Sequence, residues 1–286
     1  MRSVGVTPGL GLASLWTTLR DIFARREMLD LLVKRDIKAR YKDSALGFVW
    51  ALIRPLILLA IYFVVLGQFL GAARGIPDFA IFIFTGLTAM SLFQEIAVGG
   101  TGSIIANGGV VKKVYMPREI FPLAATGSAL FNFLIQMGVL LVATLIAGKP
   151  PLHWQIVYVI PSLLLILVYG VAFALFFSAV NVYLRDVQYL VEVMTMLLMW
   201  LSPVLYAWHL AKEIITSPTL LEIYTNNPLT LAVLGFQRAF WLAGDGLEQP
   251  AHLVLRMAVA LLIGLVLLVL SHRVFVRLQG NFAQEL

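Results

Sequence analysis

Two acidic residues inside otherwise apolar segments, Glu95 and Glu192, are the side chains of this chain best placed for proton or ion chemistry, with Arg256 a third. A gradient-driven carrier keeps ionisable groups at mid-membrane depth. Both glutamates instead fall toward one end of their segments, within snorkelling or pairing reach of a partner, Arg185 for Glu192 being one. His153, His209, His252 and His272 are scattered and form no set with carboxylates. There is no G-x-x-x-x-G-K-[ST] phosphate loop, and the nearest piece, Gly148-Lys149-Pro150, lacks the rest. H-E-x-x-H and G-x-S-x-G are absent as well, and the chain has no cysteine to supply a disulfide, a thiolate ligand or a nucleophile. No catalytic, cofactor-binding or metal-binding set is therefore expected here. Energised transport by this chain would draw on another chain or on an ion gradient.

Cations and aromatic rings are the other resources. Lys34, Arg35, Lys38, Arg40 and Lys42 crowd one short stretch, and Leu29, Leu32, Val33 and Ile37 form an apolar stripe at helical spacing beside them. Arg40 falls beneath that stripe, so the amphipathy decays toward the end. A cationic helix joined to a membrane span suits a cytoplasmic membrane surface with anionic headgroups; an ordinary positive-inside flank has the same composition. Tyr62, Phe63, Phe69, Phe82, Phe84, Phe93, Trp200, Tyr206 and Trp208, on the first, second and fifth spans, offer faces that stack on the C–H faces of sugar rings. Lipid contact and the interfacial aromatic belt account equally for such residues, and for Trp154, Trp208 and Trp241 in particular.

The elements that must position these residues are membrane spans. Apolar residues make up 60% of the 286 and charged ones only 13%, against about a quarter in soluble domains. The formal charge of +6 sits beside apolar runs, which argues against nucleic acid as a partner. Residues 1–26 lack the sustained apolar core of a cleavable signal peptide. Six segments reach the roughly 20 residues needed to cross the hydrocarbon core: about 55–73, 79–98, 119–147, 155–180, 187–208 and 251–271. Pro161 and Pro203 are places for kinks. The expected organisation is all-α, with a cytoplasmic region over 1–54, its amphipathic interface helix at about 28–43, and a transmembrane domain over 55–286. Sixteen of the 21 cations lie before the first span, in the second and fourth connections and in the tail; four lie opposite, and Arg256 is undecided. The positive-inside rule then places both termini in the cytoplasm.

Two connections stand out. Asn107-Gly-Gly-Val-Val-Lys-Lys-Val-Tyr-Met-Pro117 opens on a flexible Asn-Gly-Gly, holds about two helical turns and stops at proline. A helix there would project Lys112, Lys113 and Tyr115 toward a partner, and a plain basic loop that only sets orientation is the alternative. Region 209–249 contains an apolar stretch, 229–241, too short and broken to span, preceded by the helix start Asn226-Asn227-Pro228. It reads as one or two helices dipping into the outer leaflet, a re-entrant element, or else as a helix lying flat at the interface; an additional span, the least favoured reading, would move Arg273 and Arg277 outside.

Several of these pieces together resemble the membrane subunit of type-two ABC exporters that move polysaccharides such as O-antigen, capsule, teichoic acid or galactan. They are Lys34-Arg-Asp-Ile-Lys-Ala-Arg-Tyr-Lys42 with Leu46-Gly47, Trp50 and Pro55; Lys112-Lys113-Val-Tyr-Met-Pro-Arg118 followed by Pro122; Asn181-Val-Tyr-Leu-Arg-Asp186; Ser202-Pro203-Val-Leu-Tyr206; and Asn227-Pro228 with Phe236-Gln-Arg238. They stand in family order from about residue 28 onward; Met116 replaces the phenylalanine usual before the proline.

The resemblance implies a homodimeric pore in a bacterial inner membrane, multi-pass, with two copies of an ATP-binding cassette subunit beneath it that bind the ATP and magnesium. It implies that 107–117 is the coupling helix, with Val111, Lys112, Lys113, Tyr115 and Met116 meeting the ATPase. A polyprenyl-diphosphate-linked glycan would enter near the interface helix, its headgroup drawn by Arg35, Lys38, Arg40 and Lys42. Tyr62, Phe63, Phe69, Trp200 and Tyr206 would line the glycan channel, among membrane lipids. Other readings are a small-lipid or drug exporter of the same class, an ion-coupled carrier using Glu95 and Glu192, and a membrane enzyme acting on lipid-linked sugars, which would need clustered carboxylates or histidines that the sequence does not offer.

Overall fold

The computed structural model describes residues 26–41, 49–114 and 116–286. Among them every regular element is helical. Five helices are long and apolar enough to cross a membrane: Val49–Phe69, Phe79–Ala106, Ile120–Ile146, Trp154–Tyr183 and Leu253–Glu285. They are called here the first, second, third, fourth and last long helices. Length and composition together make this a membrane bundle, since backbone in lipid must satisfy its own hydrogen bonds.

The second long helix is the core. Phe82, Ile83, Phe84, Phe93 and Ile96 are fully buried along it, whereas the first long helix buries only Gly67. Close approach comes from small residues: a Cβ on Gly100 would lie 2.3 Å from the Cβ of Ala174 on the fourth helix, and one on Gly86 would meet the Val204 backbone at 3.1 Å. Such contacts replace the hydrophobic drive that is missing between helices in lipid. Hydroxyls on the buried face bond inward to their own helix, Thr85 to the Ile81 carbonyl and Thr101 to that of Ala97. Asn181 crosses between helices and donates to the Thr101 carbonyl at 3.1 Å.

Several features differ from the sequence reading. The second helix runs to Ala106 and the last to Leu278, well past the expected ends at about 98 and 271. The first helix starts at Val49, so Pro55 and Arg54 lie inside it, and its final turns widen to a π-helix at Phe63–Phe69. Pro161 sits in the first turn of Val159–Tyr183, where its missing N–H is unneeded. The expected fifth span, 187–208, is regular only over Val187–Trp200, 14 residues or about 21 Å. The chain then breaks around Pro203. Three short helices follow, Trp208–Ile214, Pro218–Thr225 and Pro228–Phe240. The last is capped by Asn227, whose side chain accepts from the Leu229 N–H, and it is buried against the second, fourth and last long helices.

Candidate functional site

A groove of about 890 Å³ runs beside the second long helix, from Gly99 to Phe84, roughly 22 Å of helix rise. The 3.6-residue period explains its polarity. Ser91 and Glu95 are four apart on the second helix, Asn132 and Gln136 four apart on the third, so each pair occupies one helix face. Gln94 and Glu192 complete a floor of amides and carboxylates. Trp50, Ala51, Arg54, Pro55 and Leu58 of the first helix form one wall, Met196 part of another, and Arg40 reaches in from the Arg26–Tyr41 helix.

The floor is held by its own hydrogen bonds. Asn132, nearly buried, donates to a Glu95 oxygen at 2.5 Å, and Arg40 approaches the same oxygen at 3.2 Å. Gln188 donates to Glu192 at 3.1 Å, and its N–H is received by the Asn181 side chain. Glu95 and Glu192 therefore both face the groove, the first already paired with a cation. The arrangement offers exchangeable donors and acceptors along a track. Among the described residues no group of three or more His, Asp or Glu side chains could hold a metal ion.

The end of the bundle carrying the 107–118 loop is built around a second cluster of Ile104, Ile120, Phe121, Phe275 and Phe282. The Arg26–Tyr41 helix packs on the third long helix, where Val33 covers Gly127; Leu29, Leu32, Val33 and Ile37 are all half-buried, as the stripe required. Of the cations, Arg35 binds Asp36 and donates to Asn107 at 2.7 Å, Arg40 binds Glu95, and Lys38 is exposed. Lys42 lies outside the described residues. The 107–117 segment holds one short helix, Gly108–Lys113. Lys112 and Lys113 point outward, but Val111 is buried and Met116 half-buried in the cluster, so those two serve packing. Tyr115 lies outside the described residues.

None of the five aromatic residues expected in a channel lines the groove. Tyr62 and Phe63 pack on the main core, Phe69 is 80% exposed and Trp200 54% exposed, and Tyr206 donates to the Trp200 carbonyl at 2.8 Å. Of the three rings read as belt residues, Trp154 is exposed. Trp208 and Trp241 are buried, donating to Thr225 and to the Pro77 carbonyl. Gln94, Ser91, Asn132 and Gln136 were missed by sequence reasoning; polar side chains spaced by four inside apolar helices were the available signal.

Bundle and groove define a multi-pass membrane protein with a polar track through its apolar helices. Residues 28–241 match the family model of the ABC-2 type transporter. The chain belongs to the ABC-2 type transporter family. It is 29% identical over 264 residues to an O-antigen export system permease protein of Klebsiella pneumoniae, covering 91% of this chain and 95% of that one. The corresponding protein of Myxococcus xanthus is 27% identical over 78% of this chain and 84% of its own length. A polysialic acid transport protein of Escherichia coli is 27% identical over 63% of this chain and 70% of its own.

Proposed function

We propose that this chain is the membrane-spanning subunit of an ATP-driven exporter that carries a polyprenyl-diphosphate-linked polysaccharide from the cytoplasm across the inner membrane. The groove carries the reading. A glycan presents hydroxyls along its whole length, and Ser91, Gln94, Asn132, Gln136 and Glu192 offer it interchangeable hydrogen bonds rather than one tight pocket. The track is amide-lined, with Trp50 and Phe84 as its aromatic rings. It is open on one side, along the little-buried first helix, so a second copy of the chain closes it into a pore.

The Val187–Trp200 helix and the Pro203 break extend from the level of Gly102 to that of Gly86 on the second helix, and together they make the sixth crossing. The short helices up to Phe240 then form the outer-leaflet re-entrant element, of which Pro228–Phe240 is buried against protein as such depth requires while Pro218–Thr225 stays largely exposed. Two ATP-binding cassette subunits dock at the opposite, cytoplasmic end against Lys112 and Lys113 and supply ATP and magnesium chemistry. Arg35, Lys38, Arg40 and Lys42 draw the diphosphate; Arg40 does so by exchanging Glu95 for phosphate.

The test is co-purification with a candidate ATP-binding cassette subunit, followed by ATP hydrolysis with and without lipid-linked glycan. A complex whose glycan-stimulated hydrolysis falls when Asn132 and Gln136 become Leu, and whose assembly weakens when Lys112 and Lys113 become Ala, is the expected result. Absence of a complex with any such subunit overturns the reading. Glu95→Gln and Glu192→Gln separate it from an ion-coupled carrier, in which transport collapses; here it survives.

A further inference from the structure

The 107–118 loop contains too little structure to hold its own shape. A six-residue helix is far below the length at which helices persist in water, and its first two residues are glycines, Gly108 and Gly109. Something outside the loop must fix where Lys112 and Lys113 point. Arg35 does part of this by donating to Asn107, which in turn donates to the Ser103 carbonyl at 2.8 Å. That tie fixes only the start of the loop.

The remaining contacts come from the end of the last long helix. Phe282 is fully buried there, edge-on to Phe275 at 5.7 Å and to Tyr183 at 6.3 Å. The Arg118 guanidinium sits 5.6 Å above the Phe282 ring, so the far end of the loop rests on this residue. Tyr183 donates to the Leu278 carbonyl at 2.7 Å and locks the fourth helix to the same place. Leu286 reaches the start of the short helix, within ordinary contact distance of a Cβ at Gly108. The Phe282–Glu285 turn packs on Gly108–Lys113 directly.

We propose that the Phe282–Leu286 segment is a wedge that positions the 107–118 loop for its partner and ties that loop to the fourth and last long helices, with Phe282 and Leu286 as its positioning residues. A push on the loop is then delivered to two helices at the wedge, besides the second and third helices that the loop joins covalently. This role rests on the reading of the loop as the ATPase docking element, but the wedge itself can be tested without an ATPase.

The chain has no cysteine, so a spin label at Lys113→Cys reports the loop alone in the full chain in lipid nanodiscs. Phe282→Ala and Leu286→Ala should each raise the label's mobility and so sharpen its spectral lines; Phe282→Leu, which keeps an apolar side chain, should leave the spectrum close to wild type. In the assembled complex the two alanine variants should lose roughly two- to thirtyfold in glycan transported per ATP, the span usual for residues that modulate coupling without touching a ligand. A label spectrum unchanged in both alanine variants overturns the wedge. Should wild-type protein assemble with no ATPase, the docking reading fails while the label result still decides the wedge. A sharpened spectrum with unchanged transport per ATP overturns the positioning role and leaves only a packing contact.

Discussion

Gly100→Ala should destabilise the bundle by about 2 kcal/mol, although alanine is the better helix former. The new Cβ would lie 2.3 Å from the Ala174 Cβ and 3.1 Å from its Cα. Ordinary carbon–carbon contact is about 3.5–4.0 Å, so the second and fourth helices must separate locally by about 1.5 Å. The obstructing atoms belong to backbone and to a Cβ, so no rotamer change relieves the overlap. Overpacking of this kind costs about 1–3 kcal/mol, and the propensity gain of alanine over glycine, up to about 1 kcal/mol, offsets part of it. The net falls near the upper half of that range because neither partner is flexible. Unfolding of purified protein in mixed micelles by increasing dodecyl sulfate measures the difference. Gly138→Ala is the control: nothing lies within 4 Å of its added Cβ, and it should be neutral or stabilising. Ala174→Gly in the Gly100→Ala background removes the 2.3 Å contact and leaves the 3.1 Å one, so it should recover part of the loss, a coupling visible in a double-mutant cycle. A neutral Gly100→Ala, or a double variant no better than the single one, would refute the close crossing.

Gln237→Leu should cost about 1–3 kcal/mol, because Gln237 donates to the buried Pro203 carbonyl at 2.7 Å and its loss strands that oxygen at the chain break; the same micellar unfolding assay checks it, and no change would place water at the carbonyl. Tyr169→Phe removes the bond to the Ala260 carbonyl at 2.9 Å and should cost about 0.5–1.5 kcal/mol, with Gly264→Ala, whose Cβ would press on the Tyr169 ring at 2.6 Å, weakening the same seam. On the short Pro218–Thr225 helix, the hydrogen bond from Arg256 holds the Glu222 carboxyl below the ordinary value of 4.5. The folded state thus binds that proton more weakly than the unfolded chain, so the contact's stabilisation is present above pH 4.5 and is lost as pH falls through the lower folded value. Unfolding measured from pH 7 downward should lose that acid limb in Glu222→Gln, and an identical pH profile in both proteins would refute the assignment.

Local properties were written in the sequence. Hydropathy determined that the chain is helical and membrane-embedded, because each apolar run must close its own backbone bonds wherever it lies in lipid. The stripe of Leu29, Leu32, Val33 and Ile37 likewise told which side of its helix would pack. The absence of cysteine and of a phosphate loop decided what chemistry the chain cannot perform. Properties that depend on what lies across from a residue were not legible. Glu95 reads as a lone intramembrane acid, yet Arg40 and Asn132, distant in sequence, share one of its oxygens. Trp208 and Trp241 read as interfacial rings because the sequence cannot say that a carbonyl and a hydroxyl wait for their indole N–H groups inside the protein. The expected fifth span ended early for a similar reason: Pro203 breaks the helix, and Gln237 and Tyr206, distant from the carbonyls in the helix register, supply bonds that make the break tolerable. Composition thus decided the solvent each segment prefers, and the tertiary structure decided which polar groups meet, because pairing is a matter of distances between helices that spacing along one helix does not contain.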